Sequence, residues 1–148
     1  MKPGIYSEQL KTLAASVEGS GDIAKCNFHL ERDNPFCGDR VKLGIDLSQG
    51  KVSRVQHQVK ACLICKAAAA ALQKSATGLS AVELEALLGK LKQMLSQGES
   101  PTEAFESPWQ NLNIFSPVSA HRSRHSCVLL PFETLAELLR MAGEQQLE

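Results

Sequence analysis

Neither sign of charge dominates this chain. Lys+Arg and Asp+Glu both number 16 among 148 residues, so the formal charge is zero. That balance argues against a general nucleic-acid or membrane-surface binder, which needs a basic excess. A long apolar run is missing as well. The longest small-apolar stretch, AAAAAL over 67–72, falls far short of the roughly 20 residues of a bilayer-spanning helix. The first residues, MKPGIYSEQL, hold no apolar segment of the kind a secretory leader carries, and the cytoplasm is the expected compartment. No internal repeat or low-complexity linker is present, and the length suits one domain over 1–148 with one core. An even set of cysteines is lacking. The five are Cys26, Cys37, Cys62, Cys65 and Cys127. An odd count in a reducing compartment argues against a disulfide framework. There is no second C-x-x-C and no H-x-H, so the single C-x-x-C is by itself a weak motif.

What is there reads as an α+β chain. IYSEQLKTLAAS (5–16) predicts a short helix, and EGSGD (18–22) breaks it. AKCNFHLE (24–31) alternates, with Ala24, Cys26, Phe28 and Leu30 on one side of a strand. RVKLGIDL (40–47) and KVSRVQHQVK (51–60) follow as strands around the turn SQG, so three short-linked strands predict an antiparallel meander. CLICKAAAAALQKSA (62–76) is alanine-rich and predicts a helix that Gly78 ends. Ser80 with Glu83 forms a capping box for a helix over 82–97, and Ser100, Pro101 and Glu103 announce another short one. The stretch 107–126 reads as loop. LPFETLAELLRMA (130–142) predicts a last helix, stopped by Gly143. The order suits helices packed on one face of a small three-stranded antiparallel sheet.

The chemistry concentrates at three junctions. In DNPFCGDR (33–40), Cys37 and Asp39 flank Gly38 on a tight turn between two strands, where i and i+2 share a face. Cys62 stands where the third strand gives way to the alanine-rich helix. A thiol there meets unpaired N–H groups and the positive end of the helix dipole, which favour its thiolate. Cys127 precedes the last helix, and the same reasoning applies. Three thiols and one carboxylate make four possible ligands, a count that suits tetrahedral zinc or one edge of an iron-sulfur cluster. Cys26, on an apolar strand face, reads as a small buried hydrophobe. Cys62 and Cys65 spell C-x-x-C, which alone fits a redox pair, half of a zinc site, or packing of the second thiol.

These motifs, taken in order on these elements, resemble the IscU/SufU/NifU N-terminal family of iron-sulfur cluster assembly scaffolds. The family carries C-G-D after its first strand, here Cys37, Gly38 and Asp39. A second cysteine opens the helix after its third strand, here in KACLICKAAAAAL (60–72). A third precedes the last helix, here in RHSCVLLPFETL (124–135). The resemblance runs from about residue 5 to 140. Arg124 matches an arginine that the SufU branch places before its last cysteine, and Ser126 stands where the IscU branch has histidine. The long segment between the second and third cysteines is also SufU-like. The first helix, QLKTLAASV over 9–17, departs from the family's usual stretch, and Cys65 lies outside the family's ligand set. The resemblance implies a scaffold rather than an enzyme. It implies an iron-sulfur cluster of the 2Fe-2S type, or Zn2+, held by Cys37, Asp39, Cys62 and Cys127. It implies sulfur taken by Cys127 from a SufS-like cysteine desulfurase and clusters passed to apo iron-sulfur acceptor proteins. Neither nucleic acid nor membrane is expected as a partner.

The stretch SAHRSRHS (119–126) adds local positive charge beside Cys127, suited to keeping thiolates anionic, and His125 offers another possible ligand. Two other classes compete. One is a purely structural zinc site, although closed sites use cysteine and histidine throughout. The other is a cysteine hydrolase with His121 or His125 as base, for which the sequence names no orienting group.

Overall fold

The computed structural model describes residues 6–17, 23–35, 38–97 and 105–146, with side chains through Gly143. Helix α1 (Glu8–Ala15) starts at Ser7, whose hydroxyl accepts the Leu10 N–H at 3.1 Å. Strands β1 (Phe28–Asp33), β2 (Arg40–Ser48) and β3 (Lys51–Lys60) form an antiparallel sheet in the order β1-β2-β3. Helices α2 (Leu63–Ser75), α3 (Ala81–Gln97) and α4 (His125–Gln146) follow. The fold is the expected α+β arrangement.

Alternation in β2 decides which face is covered. Val41, Leu43 and Ile45 are buried and join the helices in one core, with α4 against β1 and β2 and α2 against β3. Helix α2 contacts both α1 and α4, and Ala67 to Leu72 are all buried. Its run of alanines is the reason: small side chains let neighbouring helices approach from several directions, where larger ones would hold them apart. The capping box forms as read, with Ser80 N–H donating to Glu83 Oε1 and Glu83 N–H to Ser80 Oγ, each at 3.2 Å. Those bonds hold the Glu83 carboxyl below the usual carboxylate range.

Four expectations need correction. The first strand starts at Phe28, and Ile23–Lys25 form a 3-10 turn instead. Ile23 and Cys26 are buried on the sheet face away from the helices, over Gly44. A Cβ on Gly44 would meet Cys26 Sγ at 2.9 Å, so only glycine leaves room there. Asp46 holds the segment down, accepting the Asn27 N–H at 2.7 Å and pairing with Arg54.

The stretch read as loop is instead largely 3-10 structure over Gln110–Ala120. Leu112, Phe115 and Val118 recur every third residue, the period of a 3-10 helix, and all three are fully buried. Burying each such side chain is worth about 1.5–3 kcal/mol, enough to order a segment with weak local propensity. The Asn113 side chain pins it by bonding both backbone groups of Phe105, at 2.8 and 2.9 Å.

Helix α4 begins five residues before the expected start and runs through Gly143. Buried Cys127, Val128 and Leu130 anchor the early turns, so Pro131 falls inside the helix rather than at its first position. A Cβ on Gly143 would meet nothing within 4 Å, so neither packing nor a positive φ marks a stop there. The helix announced by Ser100, Pro101 and Glu103 lies outside the described residues. No described helix is long and apolar enough to cross a membrane.

Candidate metal centre

The register of the sheet builds the site. Arg40 pairs with Lys60, so the residue entering β2 and those leaving β3 meet at one end. Asp39 therefore lies beside the start of α2. Its Oδ1 accepts the Cys62 N–H at 2.8 Å, and its Oδ2 accepts from the Cys62 thiol at 3.4 Å. Cys62 is the N-cap of α2 in extended conformation (φ −66, ψ 168), and its sulfur accepts the Cys65 N–H at 3.4 Å. A sulfur thus does the capping work that serine or aspartate usually does.

The turn before β2 is fixed by its backbone. Gly38 N–H donates to Asn34 O at 2.9 Å, and Asn34 N–H donates to Asp39 O at 2.8 Å. Gly38 has φ +75, a conformation that favours glycine. The buried Asn34 side chain donates to Ser126 Oγ at 2.8 Å, which ties the turn to the first residues of α4. That places Cys127, the third residue of α4, against the turn.

Asp39, Cys62 and Cys127 consequently offer ligand atoms that all lie within 4.8 Å of one another. This is the only such grouping of three among the described residues. Cys37 lies outside them. The donor set suits a thiophilic cation: two sulfurs favour zinc or iron, and one carboxylate oxygen makes the set harder than four thiolates. Cys127 was expected just ahead of the last helix and reachable by a large donor. It is instead inside the first turn and 0% exposed. Cys62 is half-buried and is the thiol of the trio nearer to solvent.

The electrostatics favour anions. The Cys62 thiol is lowered from 9.0 to about 7, chiefly by its hydrogen bond with Cys127. The Cys65 N–H adds to this, while burial and the Asp39 carboxylate oppose it. Of the basic stretch, Arg124 faces the site. Its guanidinium is raised further by Tyr6, then by the hydrogen bond and charge of Cys127 and by Cys62. His121 and Arg122 are exposed. His125 Nε2 sits 3.0 Å from Ser119 O, so that ring nitrogen is engaged away from the thiols. No histidine joins the cluster among the described residues. Cys26 is on the far face of the sheet, and Cys65 is fully buried in the core. The sequence reading missed Asn34 and Tyr6 as site neighbours. Asn34 looked like a turn residue, and nothing local announces a bond to a residue 92 positions away.

No family model matches the chain. A curated relative does: the iron-sulfur cluster assembly scaffold protein IscU of Thermotoga maritima, 26% identical over 136 residues. The match spans 92% of this chain and 93% of that one. The crystal structure of the N-terminal part of a nitrogen-fixing NifU-like protein from Brucella abortus superposes with a TM-score of 0.86. It is 26% identical and covers 95% of each chain. A protein described as the SUF-system scaffold SufU of Fervidobacterium islandicum shares the fold, with a TM-score of 0.78 over 91% of this chain and 96% of its own. Its identity is 24%. In sequence over nearly its whole length and in fold, the chain is IscU/NifU-like, as its three cysteine motifs imply.

Proposed function

We propose that the protein assembles iron-sulfur clusters, using Cys37, Asp39, Cys62 and Cys127 to hold a nascent cluster or a zinc ion. Cys127 takes sulfur from a SufS-like cysteine desulfurase, and the finished cluster passes to apo iron-sulfur proteins. The cluster is cargo here, not a resident cofactor. One observation carries this reading: two thiols and a carboxylate from three separate elements meet within 4.8 Å. Packing alone does not require a buried carboxylate beside two sulfurs, because burying like charges together is costly without a cation. Arg124 offsets part of that charge, and a divalent metal offsets more. Half-exposure of Cys62 leaves the site open on one side, unlike a closed structural zinc site. Openness suits cargo that must leave. The basic position of Arg124 favours the SufU-like branch of this function, in which zinc orders the thiols and one of them accepts sulfur.

Anaerobic purification with elemental analysis and an absorption spectrum tests the reading. Iron with acid-labile sulfide supports a scaffold; stoichiometric zinc supports the sulfur-transfer branch. Protein that takes up neither, or binds metal equally well after Cys62→Ser and Cys127→Ser, refutes it.

A further inference from the structure

Cys65 is left over by the metal site, yet its backbone N–H points at the Cys62 sulfur, 3.4 Å away. Cys62 is an N-cap and Cys65 lies in the first turn of the same helix. Residues three apart at a helix start have Cα atoms roughly 5–6 Å apart, within the span a disulfide bridges. The two thiols differ in access. Cys62 is half-buried, whereas Cys65 is 0% exposed and packed in the core behind it in the same helix turn. An outer thiol that receives and an inner thiol that resolves is the division of labour of a C-x-x-C redox pair.

We propose that Cys62 and Cys65 are a dithiol that reduces delivered sulfur to sulfide beside the metal ligands. This rests on the sulfur-accepting reading above. Sulfur arrives at the oxidation level of a persulfide, whereas a cluster is built from sulfide, two electrons more reduced. With a persulfide on Cys62, received directly or passed from Cys127 within 4.8 Å, the inner sulfur is bonded to the terminal one. Cys65 gives up its proton and attacks that inner sulfur. The Cys62–Cys65 bond forms, the bond to the terminal sulfur breaks, and hydrosulfide leaves carrying the electron pair. The two cysteines are oxidised by two electrons and the terminal sulfur is reduced by two. The proton from Cys65 ends in the solvent or on the hydrosulfide. The positive end of the α2 dipole favours the departing anion. It is released beside Asp39 and Cys127. A low-molecular-weight thiol then reduces the disulfide and resets the pair by ordinary exchange.

The test uses the full-length, metal-free, pre-reduced protein. It is mixed anaerobically with a trace of cysteine desulfurase and limiting cysteine, with no other reductant. Free sulfide is measured, and the tryptic peptide Ala61–Lys66, which contains both cysteines, is weighed. Wild type should release about tenfold more sulfide than Cys65→Ala, as direct attack by a neighbouring thiol outpaces reduction from solution. Its peptide should be lighter by two hydrogens and resist alkylation. Cys65→Ala should instead retain persulfide, with circular dichroism confirming that its fold is intact. Wild-type persulfide as long-lived as that of Cys65→Ala overturns the proposal and leaves the sulfur-accepting reading standing. A Cys62–Cys127 disulfide in wild type also overturns it. Absence of persulfide and of sulfide in both proteins refutes the sulfur-accepting reading itself.

Discussion

Helices α2 and α4 each carry a cysteine of the same cluster near their start, and they present it differently. Cys62 is an N-cap with an extended backbone and partial exposure. Cys127 is two residues into its helix and fully buried, under an asparagine-serine bond that ties α4 to the turn before β2. Both sulfurs lie at a helix N-terminus, where the dipole favours thiolate. The two thiols thus share a helix-start setting and differ in access.

The largest effect should come from removing either anchor. A structural zinc site is worth about 10–16 kcal/mol in apparent binding free energy, so one of four ligands accounts for roughly 3 kcal/mol. Cys127→Ser and Cys62→Ser should each weaken zinc binding by about 100-fold in competition with a chromophoric chelator. Near-normal affinity for one of them would show that its thiol is not a ligand, and the comparison of the two helix starts would lose its basis.

Gly44→Ala is next, and it separates the site from the far face of the sheet. The new Cβ meets Cys26 Sγ at 2.9 Å and an Ile23 methyl at 3.0 Å. Overpacking of this kind costs about 1–3 kcal/mol, read as a lower midpoint in urea. Zinc affinity should be unchanged, because Cys26 and the cluster lie on opposite sides of the sheet. Asn34→Ala should do the reverse. It removes the part-buried side-chain hydrogen bond to Ser126, worth about 1 kcal/mol. It should also loosen Cys127, weakening zinc binding several-fold through position alone. Ser126→Ala should match it in both readouts.

These contrasts also explain what the sequence could and could not disclose. β2 and β3 were legible because Val41, Leu43 and Ile45 alternate over a covered sheet face. The start of α3 was legible because Ser80 and Glu83 cap each other locally. Cys26 is buried as its apolar setting implied, but the strand was drawn through it because alternation persists through Ala24 and Cys26 although the chain turns there. The glycine that makes this turn fit, Gly44, is on another strand. Leu112, Phe115 and Val118 carried their own signal, a period of three, which neither the helix nor the strand template detects. Asp39, Cys62 and Cys127 could be named from their motifs. The burial of Cys127 could not, since it depends on Asn34, Ser126 and the packing of α4.

The smallest expected effect concerns charge at the shared site. With Cys62 lowered to about 7, its alkylation in the metal-free protein should have a midpoint near that pH. The sign follows from the lowered value: thiolate appears as pH rises through 7 and is lost below it, whereas an ordinary thiol becomes reactive only near 9.0. The main cause is the hydrogen bond with Cys127, so Cys127→Ala should move the midpoint upward clearly. Arg124→Gln should move it upward by only a few tenths of a pH unit, because a half-buried cation is screened by solvent. Iodoacetamide rates on the peptide Ala61–Lys66 across pH 5 to 9.5 would read all three proteins. A larger shift from Arg124→Gln than from Cys127→Ala would mean that the arginine, not the partner thiol, holds Cys62 as an anion. The two helix starts would then be linked through Arg124 rather than sulfur to sulfur.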